Sequence, residues 1–235
     1  MAPGTLAEVV QFTGEHGGFL DRLTPADRAA LLAAGRDRAY RRDAVVFHEG
    51  DRGGYAVLIV AGRVKIVTSA ADGTETVLSL RGPGELVGEM AVIDDPATPR
   101  SATVIAIEPL RGRVLLGADL LAYFESHPLA IVELLRMLAA RLRASDRRRV
   151  EHGAYTTTRR LAALLVELAD TYGRPDRDGL RVDAALSQAE LAGLVGASRE
   201  SVARGLAVLR QKGYIATGRR TLLVRDLEEL RTYAL

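Results

Sequence analysis

Between residues 44 and 117 the chain changes period, its apolar residues coming in short runs cut by turn signals. Val45–His48, Tyr55–Val60, Val64–Thr68, Thr76–Leu80, Ala102–Ile107 and Gly112–Leu116 are separated by pairs such as Gly50-Asp51, Gly53-Gly54, Ala61-Gly62 and Asp72-Gly73. Many short strands at close spacing, with turns of this kind, predict a small antiparallel sandwich or roll. The flanking text is helical. Residues 1–43 read as helix, with Thr24-Pro25-Ala26-Asp27 offering an N-cap followed by proline at the first helical position. From Pro128 onwards, Ile131, Leu135, Leu138 and Leu142 step by 4, 3 and 4, and Ser145 and Arg149 continue the seam. That period suits a coiled coil. A helix packed on its own sheet is the other reading; the length and the stepping favour pairing with a second copy.

The stretch from Arg147-Arg148-Arg149 through His152–Thr158 marks a hinge. Beyond it, Arg159–Tyr172 is amphipathic and Gly173-Arg174-Pro175-Asp176 stops it. Tyr214–Thr217 and Thr221–Val224, around Gly218-Arg219-Arg220, read as a terminal hairpin with a basic turn. The chain is thus expected to be α+β, in units of 1–127, 128–157 and 158–235. A length of 235 residues suits more than one domain.

Composition removes several function classes. Hydrophobic residues make up 48% and charged residues 26%, as in globular proteins rather than disordered ones. No apolar run approaches the ~18 residues that spanning a membrane requires. MAPGTLAEVVQFTGEHGG lacks a basic start and apolar core, so a cytoplasmic location is expected. With no cysteine, there is no disulfide, thiolate zinc site or thiol nucleophile. His16, His48, His127 and His152 lack metal-ligand spacing, and no catalytic residue or metal ligand is assigned. The basic side chains are arginine apart from Lys65 and Lys212. That bias suits phosphate and guanine recognition, but a GC-rich coding sequence is the readier explanation.

The sharpest motif is LSQAELAGLVGASRESVARGL, residues 186–206. Ser187 followed by Glu190 is a capping box, and Leu191, Leu194 and Val195 give the helix an apolar face. Gly196 suits a tight turn, and Ser198 caps a second helix carrying Val202, Leu206 and Leu209 inward. Helix, glycine turn, helix is the arrangement that places a second helix in the DNA major groove. Arg199, Glu200 and Arg204 sit near the start of that helix, where arginine can pair with guanine and glutamate with the cytosine amino group. Ser187 and Ser198 suit phosphate contacts, and Arg219 and Arg220 suit either a wing on the backbone or a solvated turn.

A second motif runs from Gly82 to Thr103. Its glycines do not follow the dinucleotide-binding spacing. Gly88 lets a ligand approach the backbone, and the helical turn after it offers free amides to an anion. Arg100 and Ser101 suit a phosphate, and Glu89 suits a ribose hydroxyl. The competing reading is a loop closed by a Glu89–Arg100 salt bridge. An enzyme using Asp94-Asp95 as a metal pair is a poorer fit, since the pair precedes Pro96 and reads as a turn.

The roll, the GE-M-A…PRSAT cassette, the long helix and SQAELAGLVGASRESVAR together resemble the cyclic-AMP receptor protein / FNR family of bacterial transcription regulators, from about residue 19 to the end. The resemblance implies an N-terminal antiparallel β-roll (a cyclic-nucleotide-binding jelly roll), a long dimerisation helix and a C-terminal winged helix-turn-helix. It implies that Gly88, Glu89, Arg100 and Ser101, with Met90 in the same motif, hold the ribose and cyclic phosphate. Arg141, Ser145 and Asp146 fall where the family reaches the purine. Arg199, Glu200 and Arg204 match the family's base-reading trio and imply a half-site resembling TGTGA. The implied protein is a homodimer on palindromic double-stranded DNA, with RNA polymerase as a partner and cyclic AMP as effector. Cyclic GMP, cyclic di-GMP and ligand-independent binding are the alternatives. Two departures bear on the effector. The cassette is one residue longer between Glu89 and Arg100 than in enteric members, and Asp146 replaces a hydroxyl residue. A carboxylate there accepts from adenine's amino group and from guanine alike. The oxygen-sensing branch needs cysteines that this chain lacks.

Overall fold

The computed structural model describes residues 18–69, 75–94, 98–182, 186–218 and 221–235. The N-terminal text, the Asp72-Gly73 turn, Asp95-Pro96 and Arg219-Arg220 lie outside the described residues. Helices α1 (Phe19–Arg22) and α2 (Pro25–Ala34) open the fold. As the sequence implies, Thr24 caps α2, its hydroxyl oxygen accepting from the Asp27 amide at 3.2 Å.

The roll follows: β1 (Arg36–Tyr40), β2 (Val45–Phe47), β3 (Tyr55–Ala61), β4 (Val64–Ser69), β5 (Glu75–Arg81), β6 (Leu86–Val87), α3 (Met90–Ile93), β7 (Thr103–Ala106), β8 (Leu110–Leu116) and α4 (Gly117–Ser126). Two antiparallel sheets, in the orders β1-β8-β3-β6 and β2-β7-β4-β5, enclose Val57, Ile59, Val64, Val87, Val104 and Leu110. The expected strands are therefore present, and β1 corrects the helical reading of residues 1–43. β1 pairs with β8 from Arg36↔Val114 to Tyr40↔Leu110. Only Tyr40 in it is buried, so the segment carries no apolar alternation, and its partner strand supplies what its own pattern lacks.

Helix α5 (Pro128–Ala154) lays Ala130, Leu134 and Met137 against Phe19, Leu120 and Phe124. It ends at Tyr155, whose backbone is extended, and α6 (Thr157–Tyr172) starts under a Thr156 cap. The break thus falls inside the stretch read as a hinge. Then come β9 (Gly173–Asp176), β10 (Gly179–Val182), α7 (Gln188–Val195), α8 (Arg199–Gln211), β11 (Ile215–Gly218), β12 (Thr221–Val224) and α9 (Leu227–Ala234). The expected terminal hairpin forms, but as part of a sheet ordered β11-β12-β10-β9, and α9 follows it. Gly173-Arg174-Pro175-Asp176 does more than stop α6, because it becomes edge strand β9, where proline is tolerated. Among the described residues no helix is long and apolar enough to cross a membrane.

The C-terminal unit is docked on the roll. Leu80 and Ile107 share one core with Leu161, Leu165, Leu206 and Leu209, and α7 lies along β5. Lys65 Nζ on β4 donates to Glu190 Oε1 at 2.7 Å. Burial alone would raise the Glu190 carboxyl, but the bonds from Lys65 and Ser187 outweigh it and hold it below the usual range. Such a group contributes stability that is complete above its unfolded value of 4.5 and is lost as pH falls through the lower folded value. Glu190→Gln keeps the cap bond but loses the ion pair. It is expected to cost about 1 kcal/mol at neutral pH in urea unfolding, with the difference from wild type shrinking below about pH 4. A constant difference down to acid pH would contradict the ion-pair assignment.

Candidate functional site

The cradle is built where β6 runs into α3. Gly88 stands at φ 79°, a left-handed conformation that favours glycine. Its missing Cβ would lie 2.5 Å from Arg100 Nη1 and 3.0 Å from the Phe47 ring. Arg100 is strapped in place through its main chain, its amide donating to Asp51 O at 2.8 Å and its carbonyl accepting from Gly50 N–H at 2.9 Å. The side chain turns inward and is 3% exposed. Nη1 donates to Gly88 O at 2.8 Å and Nη2 to Tyr55 O at 2.6 Å. The guanidinium carbon lies 4.1 Å from the Phe47 ring centre and 4.9 Å from that of Tyr55. Nε is buried without a partner. Burial lowers the Arg100 pKa, with Tyr55, Asp51 and Glu89 opposing.

Glu89 is also 3% exposed. It does not close the loop onto Arg100. Its partner is Arg141 on α5, whose Nη1 lies 2.6 Å from Glu89 Oε1 and whose Nη2 donates to Leu86 O at 3.1 Å. The structure thus brings Gly88, Glu89, Arg100 and Arg141 together. Met90 and Ser101 lie exposed at the rim, and Ser145 and Asp146 lie exposed one turn further along α5. Arg141 therefore faces the Glu89 carboxylate rather than standing open beside Ser145 and Asp146. Phe47, Tyr55 and Glu85 belong to the same neighbourhood and were not singled out from sequence. They come from three separate strands or loops, and no local pattern joins them.

The outer face of α5 carries the seam. Leu135 and Leu142 are 58% and 63% exposed and Ile131 is exposed in the same row, whereas Leu138 of the expected seam packs partly against the roll's core. An exposed apolar row of this kind, next to a face already buried on the roll, has the pattern that suits packing against another helix.

The helix-turn-helix matches its sequence signature closely. Ser187 and Glu190 form both bonds of the capping box, Gly196 is left-handed at φ 63°, and Ser198 caps α8. Val202, Leu206 and Leu209 are buried, whereas Ser187, Ser198, Arg199, Glu200 and Arg204 are exposed. A hydrogen bond from its own amide and one from the Ser198 hydroxyl hold the Glu200 carboxyl below its usual range. Arg160, also not singled out from sequence, ties this unit to the end of α5. Its Nε donates to Val195 O at 3.2 Å and its Nη2 to Gly196 O at 3.3 Å. Its Nη1 donates to His152 O at 3.1 Å and Tyr155 O at 2.9 Å.

A roll with a buried arginine beside a glycine turn, a long helix reaching into it and a winged helix-turn-helix define a DNA-binding regulator with an effector domain. Residues 37–127 match the cyclic nucleotide-binding domain family, and residues 159–233 match the Crp-like helix-turn-helix domain family. The chain is 32% identical over 215 residues to the CRP-like cAMP-activated global transcriptional regulator of Mycobacterium tuberculosis, covering 92% of this chain and 95% of that protein. It is 33% identical over 211 residues to the Cyclic AMP receptor protein of Thermus thermophilus, covering 88% and 94%. The solved structure of the c-di-GMP responsive global regulator CLP of Xanthomonas campestris superposes with a TM-score of 0.74 at 25% identity, covering 86% of this chain and 99% of that one. The chain belongs to the cyclic-AMP receptor protein / FNR family of transcription regulators, and its relatives are regulators rather than enzymes.

Gly88→Ala forces an unfavourable φ and drives a methyl group into Arg100. It is expected to destabilise the protein by about 1–3 kcal/mol in urea unfolding. Unchanged stability would mean that the cradle does not depend on this turn.

Proposed function

We propose that this protein is a homodimeric, sequence-specific transcription regulator switched by a cyclic nucleotide, with cyclic AMP the effector. Residues 1–127 act as the effector unit, 128–157 as dimer helix and hinge, and 158–235 as the DNA-binding unit. The observation that carries the reading is Arg100, a buried guanidinium beside a left-handed glycine with one donor, Nε, left unmatched. A buried unsatisfied donor costs about 1–3 kcal/mol, and an anion in the cradle would supply its acceptor. In this reading Arg100 and Ser101 hold the cyclic phosphate, and Gly88 and Met90 shape the approach. Glu89 takes the ribose hydroxyl, with Arg141, Ser145 and Asp146 towards the base.

The exposed seam of α5 supports pairing with a second copy. Two copies would present two α8 helices to half-sites about 34 Å apart on a palindrome. Arg199, Glu200 and Arg204 read base edges, and Ser187 and Ser198 rest on phosphates. Effector and operator then strengthen each other's binding by the same factor. RNA polymerase is the partner through which such a regulator acts, and the site of action is the cytoplasm.

Calorimetry with cyclic AMP, cyclic GMP and cyclic di-GMP tests the effector, because the Asp146 carboxylate can accept from either purine. Arg100→Lys, which keeps the charge but loses the fork, is expected to weaken cyclic AMP at least roughly tenfold. Undiminished affinity would reject the cradle. Arg199→Ala and Arg204→Ala are each expected to lose about 1–3 kcal/mol at one base pair of the operator. Equal loss on every sequence would make them phosphate contacts. An operator bound equally well with and without each nucleotide would overturn the switch.

A further inference from the structure

The turn joining β5 to β6 touches three parts of the molecule at once. Glu85 accepts from the Gly82 amide at 2.8 Å, and its Oε1 lies 3.3 Å from Arg81 Nε and 3.5 Å from Arg141 Nη2. Arg141 is therefore divided between two carboxylates, short to Glu89 and long to Glu85. On the far side of the same turn stands Tyr172, the last residue of α6 in the C-terminal unit. A Cβ on Gly82 would come 2.9 Å from Tyr172 Cε1. The Tyr172 ring also packs against Arg63, whose guanidinium carbon is 5.6 Å from the ring centre. Arg63 is in turn locked onto Glu108 by two bonds of 2.8 Å. Burial, then the nearby Glu85, raises the Tyr172 pKa, so the ring is a neutral wedge among these charges.

We propose that Tyr172 is a positioning residue through which the DNA-binding unit senses whether the cradle is filled, by way of Arg141, Glu85, Arg81 and the Gly82 turn. The inference rests on the reading above that a nucleotide's ribose hydroxyl donates to Glu89. A hydroxyl on Glu89 supplies part of what Arg141 now supplies, and Arg141 then moves towards Glu85. Both guanidinium groups face the one oxygen Oε1, because Oε2 is held by the Gly82 amide, so a closer Arg141 draws the Glu85 carboxylate away from Arg81 and pulls on Gly82. The turn under the Tyr172 ring moves with it. Close packing passes that shift to α6 rather than absorbing it. The element with two arrangements is Glu85, shared between Arg81 and Arg141.

The test measures operator affinity at fixed salt, with and without saturating cyclic AMP, for the full-length wild type, Tyr172→Leu, Tyr172→Phe and Gly82→Ala. Cyclic AMP affinity is measured on the same preparations. The wild type is expected to gain about 5–150-fold in operator affinity from the nucleotide. Tyr172→Leu and Gly82→Ala are expected to bring that gain to within about twofold of none, while binding cyclic AMP nearly as wild type does. Tyr172→Phe, which keeps the ring, is expected to retain the gain. Gly82→Ala changes the contact from the roll side and decides the matter if the leucine variant does not fold. A wild-type gain preserved in Gly82→Ala, or in a folded Tyr172→Leu, overturns the inference alone. A wild type without any gain overturns the switch itself, and this inference with it.

Discussion

Burying the Glu89 carboxylate requires a cation beside it, and the cation comes from a different part of the chain. Desolvating a charge costs several kcal/mol unless a partner with good geometry replaces the lost water. Arg141 provides that partner across 52 residues of sequence. Because Arg141 is on α5, the long helix is pinned to the cradle at one point, on the turn before its exposed polar residues Ser145 and Asp146. That pair couples the helix to the cradle and, through the contact of Arg141 with Glu85, to the charge balance of the β5–β6 turn. A ligand that donates to Glu89 therefore alters the electrostatics of the helix without touching its apolar contacts.

The same helix answers to two packing demands. Ala130, Leu134 and Met137 hold it to the roll, and Ile131, Leu135 and Leu142 remain exposed on another face. A helix with apolar residues on two faces joins two bodies, and here the roll supplies only one of them. The remaining face sets the requirement for a second copy in the proposed function.

Much of this architecture was legible in the sequence, and the boundary between what was and was not legible is physical. The caps at Thr24, Ser187 and Ser198, and the left-handed Gly196, are local devices whose partners lie within a few residues, so spacing alone reveals them. The core strands show as short apolar runs because both sheets bury the faces that carry them. β1 and β9 do not show, since an edge strand of charged residues or proline draws its stability from the neighbouring strand. The residues of the cradle were also visible as a motif, but their partners were not. Nothing near Glu89 announces Arg141, and nothing near Arg100 announces that two carbonyls and two aromatic rings will draw it inward. Arg160 was equally hidden, because its acceptors are all main-chain oxygens and any sequence supplies those.

That arginine has a mechanical consequence. A single side chain bonded to oxygens on both sides of a bend removes the play from the joint, much as one pin through two plates lets them turn only together. In the proposed function, a twist applied along α5 would reach the Gly196 corner through that side chain, turning α7 and α8 together. The proposed reading surface would then be re-aimed as one piece, with its caps and buried row left as they are.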